Sequence, residues 1–177
     1  MPHIALRDGL PGIQGPLMFS PETAAPLMAL AQALLHGPSP LARGERELIA
    51  AYVSSGNGCR FCCMSHAAAA RSHYGADASL VDATLADIAT APLPAKLRAL
   101  LAIADQVRLG GKAVDAAHVA RAKAAGASDV ELHDTVLIAA AFCMYNRYVD
   151  GLATSHPEDP AAYVAMGATL AQRGYVR

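Results

Sequence analysis

Residues 47–75 read ELIAAYVSSGNGCRFCCMSHAAAARSHYG, two alanine-rich apolar stretches joined by Gly56-Asn57-Gly58. In the first, Leu48, Ile49, Tyr52 and Val53 recur at helical spacing. Ser39-Pro40 is expected to open this helix, which runs through Arg43 to about Ser55, where the glycines break it. The second stretch begins at the cysteines, continues through Ala67–Ala70 to Tyr74, and stops at Gly75. The pattern predicts two helices joined by a tight turn, with the cysteines at the start of the second.

The rest of the chain has the same character. Upstream, Pro11, Gly12, Gly15 and Pro16 mark residues 1–19 as an extended arm. Ser20-Pro21-Glu22 then opens a helix with a hydroxyl cap, a proline in the first turn and an acid at the positive end, and Gly37-Pro38 stops it after His36. Downstream, helices are expected over 79–90, 95–109 and 115–125, punctuated by Pro92, Pro94, Gly110-Gly111 and Gly126. Ser128-Asp129-Val130-Glu131 is a capping box for a long apolar helix to about Thr154, and a last helix follows Pro157 to about Gln172. No segment sustains two-residue alternation, and Ala and Leu outweigh the β-branched residues. The expected class is all-α: a single-domain bundle of about seven to eight helices over residues 20–177.

Glu131-Leu132 precedes Cys143 by the same interval at which Glu47-Leu48 precedes Cys59. The same register sets Cys62 beside Asn146 and His66 beside Asp150. Two apolar helices in an alanine-rich chain can align by chance. The other reading is an internal duplication of a helical hairpin whose first copy alone kept the thiols.

Bulk properties narrow the functional classes. Lys and Arg total 14 against 15 Asp and Glu, so no basic excess collects phosphates, and nucleic acid is not an expected partner. The first residues lack the basic and apolar segments of a signal peptide, and the apolar stretch from Val136 to Tyr145 is too short to span a bilayer. A cytoplasmic protein without membrane contact is expected. With 54% hydrophobic and 16% charged residues, polar surface is scarce, and self-association into a homo-oligomer, whether dimer, trimer or hexamer, follows as an expectation. Three of the four cysteines fall within five residues of one another, a cluster that in a reducing compartment points to catalysis or metal rather than to a structural staple.

Cys59 and Cys62 stand three apart at a helix start, where one turn brings their sulfurs within disulfide reach and the unpaired N–H groups favour thiolate. His66, four residues beyond Cys62, shares that stripe and can exchange a proton with either sulfur. Glu47 can orient the imidazole if the two helices pair antiparallel across the turn. These four are the candidate catalytic residues of a redox-active dithiol.

Glu47 followed by Cys59-x-x-Cys62-x-x-x-His66 resembles the core of the alkylhydroperoxidase D family, within the carboxymuconolactone decarboxylase superfamily. Gly44 to Ala50, Cys59 to His66, and Asn146-Arg147-Tyr148-Val149-Asp150-Gly151 together resemble its peroxidase-related branch, from the Pro11-Gly12-Ile13 arm to Leu152. The resemblance implies an all-helical oligomeric enzyme that reduces peroxides and draws electrons from a separate thiol donor. It implies that Cys62, the deeper thiol against His66, attacks the O–O bond and that Cys59 resolves the product as a disulfide. The chain departs from the best-studied members at Phe61, where they carry a further histidine.

No cofactor is expected. Zinc would suit cysteine and histidine ligands, but one helix cannot wrap four ligands around an ion, since Cys63 turns away from the stripe of Cys59, Cys62 and His66. Cys63 reads as a small buried hydrophobe. A decarboxylase-type lyase on the same scaffold has no use for a dithiol, whereas a non-catalytic oligomer whose cysteines sense oxidants remains a rival. His36, His73, His118, His133 and His156 lie at helix ends or on mixed faces, where capping or solvation is the expected role. Asn146, Arg147 and Asp150 interrupt an apolar helix, and a structural network is expected there ahead of an active-site role.

Overall fold

A computed structural model describes residues 1–176. Among them are nine α-helices and no strand: α1 (Gln14–Phe19), α2 (Pro21–His36), α3 (Arg43–Gly56), α4 (Arg60–Tyr74), α5 (Ser79–Ala86), α6 (Ala95–Leu109), α7 (Ala116–Ala124), α8 (Asp129–Gly151) and α9 (Ala161–Arg173). The all-α class is as the sequence reads. The helix beyond the expected seven or eight is α1, which occupies the end of the supposed extended arm. Only the segment before it runs irregularly, held to the α8–α9 connection by His3 N–H donating to the Leu152 carbonyl at 3.0 Å and Gly12 N–H to that of Ser155 at 2.7 Å.

Several element ends differ from expectation for local reasons. Ser20 makes no side-chain cap on α2, because it also terminates α1, with its N–H committed to the Pro16 carbonyl at 3.1 Å. Ser39 does not start α3. Its hydroxyl accepts from Leu41 N–H at 3.1 Å and donates to Asp134 at 2.6 Å, a turn that delays the helix to Arg43. Asp87 ends α5 early by accepting from Ala89 N–H and the Thr90 hydroxyl, both at 2.9 Å. The Ser128 capping box on α8 is present, with Ser128 and Glu131 each accepting from the other's backbone N–H.

Helix α3 is the centre of the bundle. Leu48, Ile49, Ala50, Ala51 and Val53 are fully buried against Leu97, Leu100, Leu101 and Ile103 of α6 and Ile138 and Phe142 of α8. Each such leucine or isoleucine contributes about 1.5–3 kcal/mol on leaving water. Arg46, also buried, donates to the Leu34 and Gly37 carbonyls at 3.0 and 2.9 Å, tying the C-terminus of α2 across α3. At the other end of α3, Gly58 adopts φ +75°, and Gly58 and Cys59 return their N–H groups to the carbonyls of Ser55 and Ser54. That reversal lays α4 antiparallel on α3. A second, smaller apolar cluster joins Cys59, Phe61, Cys62 and Ala68 of the α4 segment to Val149 of α8 and Tyr163 of α9.

In the second half the segment that aligns with the hairpin is a single helix. Where the first half turns at Gly56-Asn57-Gly58, the matching positions in the second half, Ala140, Ala141 and Phe142, continue without a break inside the 23 residues of α8.

Helix α9 meets α4 at a glycine. A Cβ on Gly167 would stand 2.4 Å from the Ala68 Cβ and 2.5 Å from its carbonyl carbon, so any larger side chain drives the two helices apart. Gly167→Leu is expected to destabilise the fold by about 1–3 kcal/mol, read as a lower midpoint in thermal or urea unfolding followed by circular dichroism. An unchanged midpoint would show that α9 is not packed on α4 in this way.

Candidate active site

Cys59 occupies the N-cap of α4, with extended backbone (φ −79°, ψ 92°), and Cys62 lies one turn inside the helix. The pair therefore sits where unsatisfied backbone N–H groups and the helix dipole favour negative charge on sulfur. Burial alone would raise both thiols, so their different behaviour comes from direct contacts. Cys62 is held below the ordinary thiol range, first by a hydrogen bond from Cys59, then by the His66 ring and the Asn146 side chain, which together outweigh burial and the Asp150 carboxylate. Cys59 is pushed far up by that same hydrogen bond and by burial. The contacts thus bias Cys62 toward thiolate and Cys59 against it.

Both sulfurs of the pair are shielded from solvent. Cys59 is 0% exposed and Cys62 4%, because Tyr163 from α9 and Ile13 from the N-terminal segment pack over the start of α4. Phe61, at the position where a further histidine was noted as missing, is buried in this cluster with its ring 6.2 Å from that of Tyr163. Cys63, expected as a small buried hydrophobe, is instead partly exposed, and burial, its largest influence, pushes its thiol up.

Glu47 and His66 meet across the α3–α4 pairing. His66 Nδ1 lies 2.8 Å from Glu47 Oε2, both side chains buried. Glu47 is 0% exposed, a placement that a carboxylate tolerates only with polar partners. Its second oxygen accepts from the Tyr175 hydroxyl at 2.6 Å, and that hydroxyl also lies 3.2 Å from His66 Nδ1. The Tyr175 and His66 rings stack at 5.9 Å, and Phe142 meets His66 edge-on at 4.5 Å, so the imidazole is clamped on both sides. Burial and the adjacent Glu47 carboxylate push the Tyr175 hydroxyl well up, which keeps it a donor.

Tyr175 is absent from the sequence reading, and no motif marks it. It lies beyond α9, 109 residues from His66, and is anchored by its N–H donating to Gln32 Oε1 at 2.7 Å. Asn146 lies in a polar network, as expected. It accepts from Asn57 Nδ2 at 2.8 Å and donates to the Ser54 hydroxyl at 2.9 Å, and its side chain also favours a lower Cys62 thiol. Asn146, Arg147 and Asp150 line, with Asn57 and Gly151, a cleft of about 360 Å³. Its walls carry the two groups from α8 that act on the Cys62 sulfur. Of the histidines read as capping or solvated, His118 closes a capping box on α7 with Asp115, whereas His36 and His73 are half-buried near Glu47.

These contacts fix a sign. Because the neighbouring Cys59 thiol is the largest influence lowering Cys62, Cys59→Ala should let Cys62 titrate at higher pH. Site-resolved alkylation with iodoacetamide should show the rise in Cys62 reactivity moved upward in pH in the variant, with slower labelling at neutral pH. An unmoved or lowered midpoint would remove Cys59 from this role.

The comparisons bear on family and fold. The carboxymuconolactone decarboxylase family model matches twice, over residues 21–92 and 76–154, as a duplicated ancestry would give. A peroxidase-related protein of uncharacterised function from Silicibacter sp. superposes with a TM-score of 0.78 at 27% identity, over 89% of this chain and 80% of that one. A second such protein from Ralstonia eutropha, described as an alkylhydroperoxidase AhpD core, gives 0.79 at 26% identity, over 89% and 81%. A protein of unknown function from Agrobacterium tumefaciens, described as a candidate antioxidant-defence protein AhpD, gives 0.71 at 25% identity, over 84% and 99%. No curated protein matches the chain. With the family model spanning most of the sequence and the thiol, glutamate and histidine positions assembled in one place, the chain belongs to the carboxymuconolactone decarboxylase family and has the AhpD-like fold.

Proposed function

We propose that the chain is a thiol-dependent peroxidase that reduces hydrogen peroxide or organic hydroperoxides by cycling Cys59 and Cys62 between dithiol and disulfide. The observation that carries this reading is geometric: Cys59 at the N-cap and Cys62 in the first turn of α4, on the same helix as a His66 whose Nδ1 lies 2.8 Å from the buried Glu47 carboxylate, with contacts that bias Cys62 toward thiolate.

The Cys62 thiolate attacks one peroxide oxygen, the O–O bond breaks, and the sulfur becomes a sulfenic acid. The departing alkoxide or hydroxide takes a proton from His66 and leaves as alcohol or water. His66 Nδ1 is engaged by Glu47 and Tyr175, so Nε2 is the nitrogen that serves the sulfur side. Cys59 then gives its proton to the relay and attacks the Cys62 sulfur, and hydroxide leaves as water once reprotonated. A disulfide remains. Two electrons from an external thiol donor restore the dithiol. The cleft beside Asn146 supplies the approach for the peroxide.

No helix among the described residues is long and apolar enough to cross a membrane. Val130, Val136, Leu137 and Met144 are exposed along α8, which supports self-association of subunits.

Sulfenic acid trapping separates this reading from thioredoxin-like exchange through Cys59. In Cys59→Ser, peroxide should give a dimedone adduct at Cys62, whereas Cys62→Ser should give no fast adduct and neither variant should turn over. Fast trapping at Cys59 would reverse the roles, and labelling at Cys63 would overturn its assignment as packing. Sustained turnover of the native chain with a regenerating dithiol distinguishes an enzyme from an oxidant sensor.

The relay has its own test. Glu47→Gln and His66→Ala should each slow peroxide consumption by about a hundredfold or more with the circular dichroism spectrum unchanged. Tyr175→Phe should slow it less, since the direct Glu47–His66 contact survives. Full rate in either of the first two variants across neutral pH would exclude the relay.

A further inference from the structure

On the side of Glu47 away from the sulfurs' helix start, three elements converge: the C-terminus of α2 with His36, α3 with Glu47, and the last turn of α4 with His73. One ligand atom from each of these three residues lies within 4.8 Å of the other two. A point between three such atoms is no further than about 2.8 Å from each, within an ångström of the roughly 2.0–2.1 Å of a zinc–nitrogen or zinc–carboxylate bond. A second observation is independent of that spacing. Nε2 of His36 and Nε2 of His73 are both buried and make no hydrogen bond to the protein, a costly arrangement for two imidazoles.

We propose that His36, His73 and Glu47 form a site for a borderline-soft divalent ion of the zinc class, with a fourth position left to water. Two neutral imidazoles and one carboxylate suit zinc or cobalt better than magnesium or calcium, which require oxygen ligands. Burial, the largest influence on both histidines, keeps them below the ordinary imidazole range and so available as ligands. Arg43 pushes in the same direction and also opposes a cation, as does Arg46, which places the site among exchangeable rather than permanent ones. Neither histidine has a part in the thiol cycle.

The site shares its carboxylate with the relay. Glu47 accepts from His66 on one oxygen and from Tyr175 on the other, and an ionised carboxylate has lone pairs left for an ion. The ion would draw charge from the oxygen that faces His66, so zinc would act as a reversible inhibitor of the proton transfers. This consequence rests on the peroxidase reading; the site itself does not.

Zinc binding is measured by equilibrium dialysis on the full chain carrying Cys59→Ser and Cys62→Ser, which removes the thiols of the active site as competing ligands. One zinc per chain is expected, with a raised unfolding midpoint. Adding His36→Ala and His73→Ala should abolish both. Should that variant fail to fold, cobalt added to the histidine-intact chain provides the second measurement: tetrahedral d–d bands without a thiolate charge-transfer band support the site, and their absence overturns it. Failure to retain zinc, or retention unaffected by loss of the histidines, would also overturn it. Native enzyme that binds zinc in this way yet shows no peroxide turnover once the ion is removed by a chelator would refute the peroxidase reading and leave the site standing.

Discussion

A fully buried carboxylate on the central helix is the constraint around which the site is arranged. Glu47 has no access to solvent, and an unpaired charge there would cost several kcal/mol. Its burial is tolerated because α4 returns antiparallel and delivers His66 to one oxygen, while the chain beyond α9 delivers Tyr175 to the other. The turn at Gly58, the docking of α4 on α3 and the anchoring of Tyr175 by Gln32 are thus coupled to a single charged group. Loss of any one leaves a buried charge under-satisfied, so the relay geometry and the fold's stability are linked.

The thiol pair answers a related problem. Burying two sulfurs in an apolar cluster with Phe61, Val149 and Tyr163 would by itself keep both protonated. The helix start, the Asn146 side chain and the neighbouring imidazole bias one of them toward thiolate, and the second sulfur becomes the donor that holds it there. Placement at an N-cap matters as much as sequence spacing, because Cys59 lies just outside the helix and its extended backbone is not bound to the helical repeat.

The two halves of the chain show what this requires. Cys143 stands at the same interval from Glu131 as Cys59 from Glu47, but α8 runs straight through the point where the first half turns, so Cys143 faces no free helix end. Glu131 is engaged by Lys96 and by the cap at Ser128 rather than by an imidazole. The register persists while the chemistry does not, and three residues of turn, Gly56-Asn57-Gly58, account for the difference. Asn146, set opposite Cys62 in that register, still serves the site from the other half.

Much was legible in the sequence. Helical periodicity, glycine and proline punctuation and the Ser128 box determined the all-α class and most helix ends, because those signals act within a few residues. The spacing of Glu47, Cys59, Cys62 and His66 on two consecutive helices was enough to bring them together, since one tight turn fixes their relative placement. What only the tertiary structure decided was everything that depends on distant segments. Tyr175 reaches Glu47 from beyond the last helix, Tyr163 and Ile13 close over the cluster that holds Cys59 and Cys62, and α2, α3 and α4 bring His36 and His73 to the same carboxylate. Local pattern carries no record of these contacts, because each results from how whole helices pack around a buried charge rather than from the residues beside it in the chain.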